Sequence, residues 1–317
     1  MEFVAKTSAK NVRRIAVLGA GTIGSGWAVH FLRCGFEVRC WDPISAARES
    51  VRDKIDAVWP LAVRNSEDKA SPDGFLVCDQ LEDALQDVDF IQENALENLA
   101  LKQELFAQID AHCSPGVVVA SSTSGLLMTD MQANCRYPER FAMGHPFNPP
   151  WLIPLVEVCG GSRTSKAAED WLEEFYTYAD KTVLRVMKER PSLIVNHLQD
   201  VIFREALRMV AMGEATVEQV DMAITKGPAL RWPFNGPMEG TEIGWTGGME
   251  AYAELCFSED GPGKDWFGDD VDIPALKKKL VEGCRAMMDG RDLDAIRRQR
   301  WRNVCAVADL VRDLDGA

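Results

Sequence analysis

The sequence predicts an α/β protein, a doubly wound parallel sheet followed by a second, all-helical domain. Three observations carry that prediction. Short β-branched runs alternate with helical stretches through the first half of the chain, a glycine pattern joins the first run to the first helix, and strand-like runs cease beyond Leu193. Alternation of this kind builds parallel strands connected by crossover helices.

In chain order, the apolar run RRIAVLG (13–19) reads as the first strand and leads into a helix that ends near Cys34. EVRCWD (37–42) reads as the second strand, followed by a helix to about Arg64. FLVC (75–78), VDFIQE (88–93), GVVVASS (116–122), FAMGH (141–145), LVEV (155–158) and TVLRV (182–186) supply further strands, with helices expected over LKQELFAQIDAHC (101–113) and 166–178. The segment KERPS (188–192) combines charge with a proline, which places a domain boundary after Ser192 and gives domains 1–192 and 193–317. Apolar positions then recur at helical spacing over 194–212, 217–224, 273–288 and 293–314.

With 317 residues, 46% of them hydrophobic, the chain has material for two cores. A formal net charge of −14 repels phosphate backbones and anionic lipid surfaces, so neither nucleic acid nor membrane is an expected partner. The basic run RRQRWR in the last helix reads as a solvated face. No signal-peptide pattern opens the sequence and no apolar stretch spans a bilayer, so a cytoplasmic location is expected. Nine cysteines, scattered and without a CxxC, argue against a disulfide framework or a metal site.

The segment Gly19-Ala-Gly21-Thr22-Ile23-Gly24 sets GxGxxG between strand and helix, the context of a Rossmann dinucleotide site. Gly19 permits a tight turn, Gly21 lets the backbone approach a pyrophosphate, and Gly24 lets the helix pack close, with its positive end toward the phosphates. Asp42 ends the second strand, where a carboxylate accepts hydrogen bonds from the adenosine ribose. It repels a 2′-phosphate, and the neighbours Pro43, Ile44 and Ser45 supply no arginine to bind one, so NAD is the expected cofactor over NADP. FAD is disfavoured because no further nucleotide motif follows.

Alcohol oxidation needs a base for the hydroxyl proton, and four histidines are present. His30 lies inside the first helix, His112 closes another and reads as a cap, and His197 is ambiguous at a helix start. His145 ends a strand and enters a loop, the place where open α/β sheets gather ligands. Glu157 lies in the apolar strand LVEV, where a carboxylate needs a partner. A His145–Glu157 pair is therefore expected, the carboxylate holding the imidazole tautomer and stabilising the imidazolium.

Together GAGTIG, QENALENLALKQELF, SSTSGL, GHPFNP, LVEV and VNHLQ resemble the 3-hydroxyacyl-CoA dehydrogenase family from about Val12 to Pro237, most nearly the branch that holds lambda-crystallin (L-gulonate 3-dehydrogenase) and L-carnitine dehydrogenase. The ending DAIRRQRWRNVC is similar to lambda-crystallin's tail. The resemblance implies that His145 is the general base and Glu157 its orienting partner, that Ser124 and Asn196 bind the reacting oxygen, and that Glu97 and Lys102 lie near the nicotinamide-side ribose. By residue type alone, Ser124 and Asn196 serve equally well as turn and cap residues.

Three departures stand out. Pro191-Ser192-Leu193 replaces the family's usual PGF, and His197 replaces the arginine after the asparagine. HPFNP replaces the HFFNP of acyl-CoA enzymes, and lambda-crystallin and carnitine dehydrogenase share that proline. Between Asp42 and Phe75 the only lysines are Lys54 and Lys69, with no evident cluster for the phosphates of CoA.

A short free 3-hydroxy carboxylic acid is the expected substrate, oxidised to the 3-keto acid. Arg231 in ALRWPFNGP is the candidate for its carboxylate, and Trp232, with Phe234, Trp245 and Trp59, for a trimethylammonium group if the acid is carnitine-like. Tryptophans beside apolar residues also serve simply as core. L-gulonate, an L-3-hydroxyacyl-CoA ester and a non-catalytic NAD-binding, crystallin-like role are the rival readings. The apolar faces of the helical domain predict a homodimer.

Overall fold

The computed structural model describes residues 3–64 and 70–315. Lys69 lies outside the described residues. The chain divides into two compact units, Met1–Val201 and Ile202–Ala317.

The first unit is built on eight strands: β1 (Arg14–Leu18), β2 (Glu37–Trp41), β3 (Phe75–Val77), β4 (Phe90–Glu93), β5 (Val118–Ser121), β6 (Phe141–Pro146), β7 (Leu155–Gly160) and β8 (Thr182–Arg185). They form one sheet in the order β3-β2-β1-β4-β5-β6-β7-β8. Helices α1 (Thr22–Arg33), α2 (Ser45–Ala62), α3 (Leu81–Leu85), α4 (Leu99–His112), α5 (Met128–Met131) and α6 (Lys166–Tyr178) alternate with them.

Because side chains alternate across a strand, each central strand feeds two cores. Ile15 and Val17 enter a cluster with Trp27, Phe31, Phe90, Val118, Phe175 and Tyr176. Ala16 and Leu18 enter the opposite one with Ile91, Phe106, Ile109, Val119 and Phe141. Burial on both faces is why these strands read as continuous apolar runs. A chain of polar groups runs outward from the first of these cores, beginning at the buried Tyr176 and Gln92. The Tyr176 hydroxyl donates to Gln92 Oε1, Gln92 Nε2 donates to Ser122 Oγ (2.9 Å), and that hydroxyl donates to Asn94 Oδ1 (2.7 Å).

One expectation needs correction: the sheet is not wholly parallel. β7 pairs antiparallel with β6. The connection between Pro146 and Leu155 carries no helix, and a parallel return needs a crossover of a dozen or more residues.

The second unit contains no strand among its described residues, in keeping with an all-helical domain. α7 (Val195–Ala211) begins in the first unit, and the unit division falls within it. Then come α8 (Val217–Thr225), α9 (Pro237–Gly244), α10 (Gly248–Cys256), α11 (Ile273–Met288) and α12 (Leu293–Asp315). Helices α9 and α10 escaped the sequence reading; each is short and contains glycine. Thr216 opens α8 with a capping box, its side chain bonded to the Gln219 amide and Gln219 to its own. No described helix is long and apolar enough to cross a membrane.

Candidate functional site

The glycine turn after β1 has the geometry its sequence demands. Gly19 sits at φ +100°, and a Cβ there would stand 2.6 Å from the Asn94 carbonyl oxygen. A Cβ on Gly24 would approach Gly19's oxygen to 1.8 Å, so only glycine lets α1 start this close to the strand. Beside Gly21 there is open space, and Thr22 and Ile23 form the first turn of α1.

Asp42 follows β2, and both its oxygens carry backbone amides: Oδ2 accepts from Ala20 (2.7 Å) and Oδ1 from Ile44 (2.9 Å). Each oxygen keeps a lone pair for a further donor such as a ribose hydroxyl, so the carboxylate ties down the glycine turn and can still accept a hydrogen bond. These features fit a dinucleotide. Sequence reasoning missed Arg48, which one turn into α2 folds back to donate to the Asp42 carbonyl (2.7 Å) and lies 3.6 Å from Asp79. Only helical geometry returns a residue six positions on to that carbonyl.

At the C-terminal ends of β4 and β5 the candidate residues meet. Glu97 Oε1 accepts from the Thr123 hydroxyl (2.7 Å) and from the amides of Ser124 (3.1 Å), Gly125 (2.7 Å) and Leu126 (3.3 Å). Partial burial pushes the Glu97 pKa up, but these donors and the charge of Lys102 outweigh it and hold the carboxyl below its ordinary range. Glu97 thereby fixes the loop that presents Ser124.

Lys102 is 1% exposed, with its ammonium on Glu93 Oε1 (2.7 Å) and the Ala95 carbonyl (3.1 Å). The Glu93 carboxylate also takes the Ser121 hydroxyl. Lys102 is thus tied to the end of β4 and, through Glu93, to Ser121 at the end of β5.

His145 on β6 and Glu157 on β7 are cross-strand partners. Nδ1 of His145 lies 2.8 Å from Glu157 Oε2, and the two residues are 5% and 0% exposed. With Nδ1–H donating to the carboxylate, Nε2 is left with its lone pair and has no protein partner among the described residues. The Phe147 ring stands edge-on, 4.9 Å away. Glu157 Oε1 accepts from the amides of Ile194 (2.9 Å) and Val195 (3.0 Å) at the start of α7. Burial raises the Glu157 pKa, but the hydrogen bond and charge of His145 and the two amides reverse that, leaving the carboxyl below its ordinary range. Asn196, half-buried, is the next residue along α7.

His30 and His112 make local contacts to backbone carbonyls. His30 is buried with Nε2 2.7 Å from the Ala179 carbonyl oxygen, and His112 Nδ1 meets the Gln108 carbonyl at 3.0 Å. Trp59, half-buried, packs against one core of the first unit. Arg231 and Trp232 belong to the second unit, just past the 3-10 turn Pro228–Leu230. Trp232, Phe234 and Trp245 stay exposed, and Trp245 stands edge-on to Tyr252 at 5.4 Å.

Residues 14–190 match the family model described as 3-hydroxyacyl-CoA dehydrogenase, NAD binding domain, and residues 193–285 match the 3-hydroxyacyl-CoA dehydrogenase C-terminal domain. The chain belongs to the 3-hydroxyacyl-CoA dehydrogenase family. It is an NAD-dependent dehydrogenase acting on a CH–OH group. Among similar proteins, L-carnitine dehydrogenase of Streptomyces coelicolor is 46% identical over 306 residues, covering 95% of each chain. L-carnitine dehydrogenase of Nocardiopsis dassonvillei is 42% identical and covers 99% of this dehydrogenase and 96% of that protein. Among solved structures, FHMPC 5-dehydrogenase, an NAD+-dependent dismutase, superimposes with a TM-score of 0.73 at 25% identity, covering 96% of this chain and 99% of that one. The (S)-3-hydroxybutyryl-CoA dehydrogenase of Ralstonia eutropha gives 0.61 at 25% identity, with 89% and 98% covered.

Proposed function

We propose that this dehydrogenase oxidises the 3-hydroxyl of a short free 3-hydroxy acid, and that the acid is L-carnitine. The chemistry rests on one observation, the buried His145–Glu157 pair with Nε2 left without a protein partner among the described residues. Relatives named L-carnitine dehydrogenase, at 46% and 42% identity over nearly the whole chain, favour the substrate.

In this reading the hydroxyl proton passes to His145 Nε2, while Glu157 holds Nδ1–H and offsets the imidazolium charge as it forms. Ser124 and Asn196 hydrogen-bond the reacting oxygen and align it with Nε2. Glu97 keeps Ser124 in place, and Lys102 with Glu93 ties the end of β4 to Ser121 at the end of β5. Gly19, Gly21, Thr22, Ile23, Gly24 and Asp42 would hold the cofactor, and NAD, when bound, supplies the acceptor for the two electrons leaving the carbinol carbon. Arg231 is assigned to the carboxylate and the faces of Trp232 and its aromatic neighbours to the trimethylammonium head. A homodimer is supported by the apolar side chains that α7 leaves exposed, among them Leu198, Ile202, Phe203 and Leu207.

An NADH absorbance assay with L-carnitine, L-gulonate, L-3-hydroxybutyrate and 3-hydroxybutyryl-CoA tests the proposal. L-carnitine should be turned over with the highest kcat/KM. Turnover of the thioester alone would overturn the substrate assignment. His145→Ala should slow turnover by roughly a hundredfold or more and leave NADH binding nearly intact.

A further inference from the structure

The segment between β8 and α7 contains two successive non-glycine residues in the left-handed region, Ser192 at φ +62° and Leu193 at φ +43°. L-residues seldom adopt this conformation, and a pair of them persists only where surrounding contacts hold it. Those contacts are present. The Leu193 side chain is 1% exposed within the core that also contains Val119, Phe141 and Cys159. The Ser192 carbonyl accepts the His197 amide (3.2 Å), closing the first turn of α7 back onto the strained residue. Immediately after the reversal, the Ile194 and Val195 amides land on Glu157 Oε1, the oxygen that His145 does not use.

We propose that the Ser192–Leu193 turn is a positioning element of the catalytic pair: by holding two amides on Glu157 it sets how strongly that carboxylate pulls on His145, and it fixes the place of Asn196. The inference rests on the reading of His145 as the base. Each amide draws charge from Glu157, so the carboxylate stabilises an imidazolium less than an unshared one would. The same two bonds pin the backbone one residue before Asn196, so the groups that accept the proton and hold the oxygen share a single anchor. The titratable group that feels Glu157 from its own strand is Cys159. The Cys159 thiol is pushed up to about 12, by burial first and then by Glu189, Glu169 and Glu157, and stays neutral.

Three variants test this in the full-length enzyme with NAD and L-carnitine. Val195→Pro deletes one amide donor at the first position of α7, where proline is tolerated. The acid limb of its kcat/KM–pH profile should move up by several tenths of a pH unit, on the scale of one lost charge-assisted hydrogen bond. An NMR titration of the His145 ring without substrate should move by the same amount. Ser192→Val places a β-branched residue at positive φ and should lower kcat about tenfold or more while leaving the NADH dissociation constant unchanged. Ser192→Gly adopts the angle freely and should keep the wild-type profile. A wild-type profile and ring titration in Val195→Pro, or loss of thermal stability alone in Ser192→Val, would overturn the proposal. Should Ser192→Val fail to fold, the Val195→Pro titration still decides. Full turnover by His145→Ala would instead sink the underlying reading of the base, which separates the two failures.

Discussion

His145 Nδ1 and Glu157 Oε2 stand 2.8 Å apart because an antiparallel hairpin makes them register partners. Adjacent cross-strand positions bring side chains on one face within reach, and burial of both residues makes the pairing obligatory. Glu157→Gln keeps the shape and removes the charge. It should lower kcat by about a hundredfold to ten-thousandfold, the range for losing the carboxylate behind a catalytic imidazole, while NADH affinity stays within about twofold. Stopped-flow turnover and fluorescence titration of NADH measure both, and an unchanged kcat would remove Glu157 from the proton path.

Glu97 holds three successive amides and a hydroxyl with one oxygen. Glu97→Ala releases the loop carrying Ser124, and a displacement of about an ångström costs on the order of a hundredfold in rate. The loss should fall on kcat more than on the melting temperature, since Leu126 is the loop's one partly buried apolar side chain against a core of the first unit. Steady-state kinetics paired with a thermal melt separates the two effects.

Asp42 offers its oxygens at the end of β2 and is tied to the glycine turn through Ala20. Replacing it by serine should cut kcat/KM for NAD by about tenfold or more and narrow the preference over NADP, because the charge that repels a 2′-phosphate is gone and Arg48 is close by. Assays with both cofactors at equal concentration report the ratio. An undiminished preference for NAD would place discrimination elsewhere.

Lys181 is a buried ammonium that donates to the Pro150 and Ile153 carbonyls and stands 5.0 Å from the Trp27 ring. Burial, helped by Arg33, brings its pKa down to about 8. The folded chain therefore releases this proton before the unfolded chain does, whose lysine titrates near 10.5. Between these values the unfolded state binds more protons, so this group's contribution to stability rises with pH. The penalty of burying the charge is complete below about pH 8 and is relieved above it. Compared with Lys181→Met, the wild type should gain on the order of 1–2 kcal/mol between pH 7.5 and 9.5. Urea unfolding of both proteins at the two pH values checks the sign, and an equal gap at both would contradict it.

Much of the first unit was legible because its signals are local. Eight apolar runs became eight strands, and α6 occupies the very residues 166–178 that its periodicity marked. The glycines of 19–24 announced a turn that only glycine can make, and Glu157 announced a partner because a carboxylate in an apolar strand is costly alone. What stayed hidden depends on contacts distant in sequence. Nothing in the composition of LVEV says that the strand runs backwards, and nothing in the sequence pairs Lys102 with Glu93.

By itself, then, the sequence determined the alternation of strands and helices, the dinucleotide turn and the need of Glu157 for a partner, since each follows from the chemistry of a few neighbouring residues. Tertiary structure alone decided the reversal of β7 that sets Glu157 opposite His145, the four-donor grip of Glu97 on the Ser124 loop, and the left-handed turn at Ser192 and Leu193. Those outcomes depend on which distant backbone donors a carboxylate meets once the cores have closed, and burial makes each of them costly to leave unmade.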